Sequence, residues 1–308
     1  MLSGERILIT GVTGKSVLPI ARFLAADNEV WGMARFADPA QRAEIEAAGI
    51  VPIAADFGTA DFSHVPDDFT YLLHFGWMRA NIAQLPAAMQ VNVQGPGLLL
   101  QHCRKAKAAL VVSSQGIYSP HPDPMHRYAE GDPIGRAFTA AAQTSPATKM
   151  GLEFVARFCA EAFNLPITIA RLNSVMGVRG SYFWRHTEAI LDDEEIVTPH
   201  DPYMHSPIHN DDMKLHIAPL LEAASVKALV TNWGGDEDIS CQDACRFLGG
   251  LAGKEPTFAL RPVEGSPSSS MTDATLRRSI TGPCTVGLES GLRRLYDDVA
   301  RFRAALAG

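Results

Sequence analysis

The residues of this chain best placed for chemistry begin in the run Ile7-Leu8-Ile9-Thr10-Gly11-Val12-Thr13-Gly14-Lys15-Ser16-Val17. An apolar strand that breaks into glycines and resumes at helical spacing has the parts of a dinucleotide site. The turn lets backbone N–H groups approach a pyrophosphate, and the helix start adds partial positive charge. Downstream, Glu29 to Arg35 reads as a second buried strand ending on Ala34-Arg35. A carboxylate at that position would grip the ribose hydroxyls of NAD, whereas an arginine pairs with the 2′-phosphate of NADP, so NADP is the favoured cofactor and NAD the alternative. Asp56-Phe57, after a third strand at Val51-Pro52-Ile53-Ala54, offers a ring to stack on adenine and a carboxylate that either bonds it or caps the next turn.

These positions require a framework of alternating strands and helices, and the spacing supplies one. Helical periodicity from Val17 to Leu24 and a polar helix from Gln41 to Ala48 separate the first three strands. The fourth strand, Tyr71-Leu72-Leu73-His74-Phe75-Gly76, closes on glycine before Trp77. A single long helix is expected from Leu85 to Ala106, then a fifth strand, Ala108 to Ser114, ending in hydroxyls. The Pro-rich passage between Tyr118 and Ser145 reads as a long functional loop. A helix from Ala147 to Phe163 and a sixth strand from Leu165 to Leu172 follow.

Repeated strand–helix alternation predicts an α/β, Rossmann-like doubly wound parallel sheet with a smaller C-terminal substrate lobe. The expected division is a dinucleotide-binding domain over residues 1–175, completed by about 206–240, and a lobe from 176–205 and 241–308. In that region Tyr182 to Leu191 is a segment, Thr198 to Pro207 a loop, Ala228 to Asn232 a strand, and Asp212 to Ala224, Gln242 to Leu251 and Leu288 to Leu306 helices.

With 308 residues, 46% hydrophobic and 20% charged, the chain can bury one large core or two coupled ones. A net charge of -7 provides no basic stripe for nucleic acid, and the apolar runs are too short for a bilayer, so neither partner is expected. The N-terminus enters a strand without a basic and apolar leader, which predicts a cytoplasmic protein. Cys103, Cys159, Cys241, Cys245 and Cys284 are odd in number and scattered, as reduced thiols are. Cys241 and Cys245 share a helix face, but no histidine lies at ligand spacing in sequence; both read as core, and no metal is expected.

The ordered set Thr10-Gly11-x-x-Gly14, Asp56-Phe57, Leu73-His74-Phe75-Gly76, Asn92-Val93-x-Gly95, Val112-Ser113-Ser114-x-x-x-Tyr118, Arg171-Leu172-Asn173 to Gly177 and Ile208 to Asp212 resembles the extended short-chain dehydrogenase/reductases, the NAD-dependent epimerase/dehydratase group, over nearly the whole chain. The resemblance implies a nicotinamide dinucleotide held by Gly11, Thr13, Gly14, Lys15, Ser16 and Val17, by Arg35, Asp56 and Phe57, by Phe75, Gly76 and Trp77, and by Lys149 and Leu172. It implies that Ser114 bonds the reacting oxygen, that Lys149 holds the nicotinamide ribose, and that Tyr118 shapes the site. The family's catalytic tyrosine, four residues before that lysine, corresponds to Ser145.

A phenol titrates at about pH 10 and can be pulled toward neutrality by an ammonium, whereas an alkyl hydroxyl cannot. Either another group supplies the proton, with Tyr118, Tyr128, His121 and His126 as candidates, or polarisation by Ser114, Ser145 and water suffices. Val17 stands where the family has a third glycine, which predicts a displaced helix or a changed pyrophosphate contact.

Met204-His205 replaces the arginine that family members acting on nucleotide sugars carry before this segment, so a small uncharged or aromatic substrate is expected, with Trp77, Met78, Tyr118, Phe183 and Trp184 as candidate lining. The leading expectation is an NADP(H)-dependent oxidoreductase interconverting a carbonyl and an alcohol. The alternatives are an epimerase or dehydratase-type isomerase or lyase retaining its NAD(P), and a degenerate dinucleotide-binding sensor. Apolar faces on the helices after the fourth and fifth strands predict a homodimer.

Overall fold

In a computed structural model that describes residues 1–138, 142–267 and 269–307, seven strands form one sheet. They are β1 (Arg6–Thr10), β2 (Glu29–Ala34), β3 (Val51–Ala54), β4 (Tyr71–His74), β5 (Ala108–Ser114), β6 (Ile167–Leu172) and β7 (Leu229–Trp233). Their order is β7-β6-β5-β4-β1-β2-β3. The pairings of β1 with β2 and β4, of β2 with β3, and of β4 with β5 are parallel. This is the doubly wound sheet expected from the sequence, and its order reverses between β1 and β4, where such sheets open a crevice at the carboxyl ends of their strands.

The strands read as continuous apolar runs because both sheet faces are covered: Ile7, Leu8 and Ile9 of β1 are each fully buried. Helices α1 (Leu18–Ala25) and α2 (Pro39–Ala47) fall within two residues of the expected spans. The segment after β4 differs. Instead of one helix it is α3 (Leu85–Met89), a π-helical turn at Gln90–Gln94 and α4 (Gly95–His102). Pro96 has no N–H to continue the ladder, and a Cβ on Gly95 would stand 2.7 Å from the Phe57 carbonyl oxygen, so the chain passes closely over Phe57 at the break. Helix α5 (Ser145–Phe163) starts two residues earlier than its apolar pattern, which makes Ser145 its first residue.

The remaining helices are α6 (Tyr182–Leu191), α7 (Asn210–Glu222), α8 (Cys241–Ala252), α9 (Thr275–Thr281) and α10 (Leu288–Ala307). Helix α9 has no counterpart in the periodicity, and the expected loop from Thr198 to Pro207 holds a short strand at Met204–His205. The chain forms two compact units. The first comprises Met1–Ile117, Ala141–Arg171 and Lys214–Thr231, and the second Tyr118–Ala140, Leu172–Met213 and Asn232–Gly308. The passage expected as a long loop thus falls largely in the second unit, tied there by bridges from Tyr118 to Ile134 and from Tyr128 to Thr272; its residues 139–141 lie outside the described residues. Residue 268 of the Gly265–Ser270 low-complexity patch does also. Among the described residues no helix is long and apolar enough to cross a membrane.

One close approach fixes the register of the first β-α-β unit. A Cβ on Gly32, within β2, would lie 2.8 and 2.9 Å from the two Val12 methyls and 3.0 Å from an Ile50 methyl. Gly32→Ala should therefore destabilise the protein by about 1–3 kcal/mol through overpacking. Denaturant unfolding should find part of that loss restored when Val12→Ala is added, a coupling that independent sites would not show.

Candidate functional site

The first unit carries a cleft of about 280 Å³ at the carboxyl ends of β1 and β4, where the strand order reverses. Gly11, Thr13, Gly14, Val17, Arg35, Asp56, Phe57, Phe75, Gly76 and Trp77 all line it, so the structure gathers most of the expected cofactor residues in one place. Lys15 is exposed and Ser16 half-buried in the same turn without lining the cleft. Leu172, half-buried at the end of β6, belongs to the second unit.

Glycine is required at the floor of this cleft for two reasons. Gly11 has φ +69°, and a Cβ there would meet Gly76 Cα at 3.0 Å and Gly76 N at 3.1 Å. Gly14 closes the turn, donating to the Gly11 carbonyl at 2.8 Å and accepting from Val17 N–H at 2.8 Å. Val17 is the N-cap of α1, with its side chain packed toward Gly14, where a Cβ would stand 3.2 Å from a Val17 methyl. The valine thus sits in front of the helix, in space left by Gly14.

Thr10, at the end of β1, organises the loop after β4. Its hydroxyl oxygen accepts from Phe75 N–H at 3.1 Å and Gly76 N–H at 3.0 Å, and it lies 2.9 Å from His74 Nδ1. With both acceptor positions taken, the hydroxyl proton goes to Nδ1, and the imidazole proton sits on Nε2. Burial, with the Lys149 ammonium adding to it, lowers the His74 pKa to about 3, so the ring is neutral. His74 Nε2 and Trp77 Nε1 are buried with no hydrogen-bond partner among the described residues. Asn92, in the π-helical turn, clamps the same loop by accepting from Met78 N–H at 2.7 Å and donating to Met78 O at 2.9 Å. Thr10, His74 and Asn92 were missed as site residues; the sequence signal available for Asn92 was its place in the family-like Asn92-Val93-x-Gly95.

Lys149, one turn into α5, is buried and donates to the Val112 carbonyl at 2.7 Å, with its Nζ 5.9 Å from the centre of the Trp77 ring. Burial lowers its pKa to about 8, against a smaller raising effect of Glu153. Glu153, on the next turn, is itself buried: it accepts from Ser113 Oγ at 2.6 Å, from Arg171 Nε at 2.9 Å and from Arg171 Nη2 at 2.8 Å. Ser114 Oγ, one residue beyond Ser113, accepts from Gly116 N–H at 3.1 Å. Ser145 stands one turn before Lys149 on α5 and is half-buried.

Asp56 accepts from Gly58 N–H at 2.8 Å, so of its two expected roles the turn cap is realised; its side chain still borders the cleft. Phe57 packs edge-on against Phe62 and His74. Arg35 is exposed at the rim. In the second unit, Tyr118 is fully buried, donates its hydroxyl to Asn232 Oδ1 at 2.7 Å and stacks on Tyr128. The Tyr128 hydroxyl accepts from His121 N–H, His121 stacks on His126 at 3.9 Å, and His126 Nε2 meets Asp132 at 2.7 Å. Phe183 and Trp184, candidates for a pocket wall, are buried in the second unit's core, while Met78 does line the cleft of the first.

The cradle fits a dinucleotide: backbone N–H groups at a glycine turn, an aromatic ring and an arginine at the rim, and unpartnered buried donors at Trp77 and His74. Lys149 offers a stability test of its environment. Its folded pKa lies below the unfolded value, so burying the ammonium opposes folding below about pH 8, and this penalty is relieved as pH rises toward 10.5. Relative to Lys149→Met, the wild type should gain on the order of 1–3 kcal/mol between those limits. Denaturant midpoints measured across that range should show the slope only in the wild type.

The description "NAD dependent epimerase/dehydratase family" belongs to the family model that matches residues 7–202. Similar solved structures include the UDP-glucuronic acid 4-epimerase of Bacillus cereus with UDP-glucuronic acid and NAD, 21% identical, covering 96% of this chain and 99% of that one at a TM-score of 0.82. The UDP-N-acetylglucosamine 4-epimerase of Methanobrevibacter ruminantium M1 with UDP-N-acetylmuramic acid is 17% identical over 99% and 100%, TM-score 0.82. A double mutant of the dTDP-glucose 4,6-dehydratase of Streptomyces venezuelae with NAD is 19% identical over 97% and 98%, TM-score 0.82. No curated protein sequence matches the chain. The family model spans well over half of the 308 residues, and the chain belongs to the NAD dependent epimerase/dehydratase family.

Proposed function

We propose that this chain is an epimerase or dehydratase-type enzyme that keeps a nicotinamide dinucleotide in the β1/β4 cleft and acts on a small molecule by transient oxidation. The family membership favours this over the carbonyl reductase that the residues first brought forward. The observation that carries it is the glycine cradle, in which Gly11 backs onto Gly76 beside unpartnered buried donors, with Lys149 facing Trp77 at its edge. When bound, the nicotinamide would supply a reversible hydride acceptor. Gly11, Gly14 and Thr13 would hold the pyrophosphate, Phe57 and Asp56 the adenine end, and Trp77 and Lys149 the nicotinamide end.

Ser145 has no acidity to offer, so proton movement falls to another group. Tyr118, Tyr128 and His126 already have hydroxyl or ring partners. Lys149, lowered to about 8, holds and releases a proton near neutrality, while Ser114 and Ser145 polarise the reacting oxygen. The absence of an arginine at Met204-His205, both buried, supports a substrate without a diphosphate. An exposed apolar stripe on α4 and α5 (Leu98, Phe154, Phe158) supports pairing of two chains through this face; Phe158→Glu should then shift the sedimentation coefficient from dimer to monomer.

Mass spectrometry of the native protein should find a nicotinamide nucleotide retained after purification. A protein isolated empty that consumes NADPH with members of an aldehyde and ketone panel would instead be the reductase. Arg35 at the rim supports NADP over NAD. Arg35→Ala should weaken NADPH binding about ten- to a hundredfold, the worth of a charge-assisted bond, and leave NADH binding within about twofold by calorimetry. Equal losses for both nucleotides would remove the NADP preference.

A further inference from the structure

A dinucleotide lying in the β1/β4 cleft would need Lys149 at its nicotinamide end, yet Lys149 does not line that cleft. The residue is 7% exposed, and its Nζ lies over the Trp77 ring, 5.9 Å from the centre. Trp77 does line the cleft, beside Phe75, Gly76 and Met78. The indole is therefore a wall, with the cleft on one side and the ammonium beyond it. Pockets for drug-sized ligands hold about 300–1,000 Å³. At about 280 Å³ the cleft falls just short of that range, for a ligand that is larger still. Either the nucleotide stops short of Lys149 or the wall gives way.

What can give way is narrowly defined, because the backbone on both sides of Trp77 is tied down. Phe75 and Gly76 N–H donate to the Thr10 hydroxyl oxygen at 3.1 and 3.0 Å, and Met78 exchanges two bonds with the Asn92 amide at 2.7 and 2.9 Å. Farther on, the Ala80 carbonyl accepts from the Thr144 hydroxyl at 3.1 Å, and Ile82 N–H donates to Gln143 Oε1 at 3.0 Å. A loop held at so many points does not lift as a flap.

The Trp77 side chain has no such latch. Its Nε1 is buried with no hydrogen-bond partner among the described residues, and a buried donor without an acceptor costs free energy for as long as the ring stays there. The ammonium holds the ring only weakly, since 5.9 Å is close to the outer limit of about 6 Å for cation–π attraction. On its other side the indole meets the open cleft, so turning it requires no repacking of the core. Backbone clamps and an unlatched ring together confine any movement to the torsions of one side chain.

We propose, on the footing that the cleft holds a nicotinamide dinucleotide, that Trp77 is a side-chain gate: closed in the free protein, it turns aside when the nicotinamide end enters and uncovers Lys149, while the loop backbone stays in place. Opening brings Nε1 to an acceptor and leaves Lys149, which keeps its bond to the Val112 carbonyl, free to offer its remaining protons to the ligand. No covalent bond is made or broken.

The test has two arms. In the first, the full chain is acetylated at a low dose of acetic anhydride and the modified lysines are mapped by mass. Lys149 should react slowly in the free wild type and at least about tenfold faster in Trp77→Ala, because its rate follows the fraction of molecules in which it is uncovered. The exposed Lys105 and Lys107 should keep their rates. Equal Lys149 rates in the two proteins overturn the gate. Should Trp77→Ala not fold, Trp77→Phe, with its smaller ring, decides by the same comparison, with about threefold or more expected.

The second arm follows the indole N–H signals of the four tryptophans by ¹H–¹⁵N correlation, Trp77 being the signal missing from Trp77→Phe. On saturation with NADPH or NADH the Trp77 signal should move downfield as its N–H gains an acceptor, and farther than those of Trp31, Trp184 and Trp233. With binding established by calorimetry, a Trp77 signal that stays, or that moves upfield under the ring current of a base stacked on an unturned indole, overturns the gate and leaves the dinucleotide reading standing. No binding of either nucleotide overturns both.

Discussion

The approach of Gly11 to Gly76 is the constraint on which the first unit's site depends. These residues follow β1 and β4, the two strands between which the chain reverses its winding; a side chain on Gly11 would press on the Gly76 backbone, and one on Gly76 would crowd Thr10 and Phe57. The Thr10 hydroxyl locks the arrangement from beneath, serving two backbone N–H groups of the β4 loop and the His74 ring at once. A single buried threonine thereby determines where Gly76 and Trp77 stand, and so the shape of the cleft. His74 is kept neutral by the same burial, which makes it a fixed donor rather than a titrating one.

A second layer of order lies under Lys149. Glu153 gathers Ser113 of β5 and Arg171 of β6 onto α5, so the two strands and the helix that carry Ser114 and Lys149 are joined through one buried carboxylate. Such a pair adds little net stability over apolar residues of the same size, yet loss of one partner leaves a buried charge uncompensated. Its value here is positional: it fixes the rotation of α5 about its axis and hence the direction in which Lys149 leaves the helix. The lysine gives up solvation for a single carbonyl bond, which is why its affinity for a proton falls.

Together these features describe a glycine-floored cleft with a buried lysine beyond its Trp77 wall. Ser145 is the first residue of α5, short and only half-buried, one turn before Lys149. Its neighbour on the next turn, Lys149, is the amine whose pKa burial lowers to about 8.

The sequence by itself determined the strands, most helices and most of the residues lining the cleft, because each depends on local pattern: apolar runs, glycine turns and helical periodicity within about twenty residues. Its misreadings came where local pattern competes with distant packing. The segment from Leu85 to His102 has helical periodicity throughout, but close passage over Phe57 forces a π-helical turn within it. The passage after Tyr118 lacks periodicity and is a loop, as its sequence reads, but no spacing shows that Asn232, more than a hundred residues away, anchors Tyr118 in a buried core. Only the tertiary structure decided that Thr10 and Asn92 hold the β4 loop and that Asp56 caps a turn. Those are contacts between residues far apart in sequence, and no spacing along the chain records which distant side chains share a buried space.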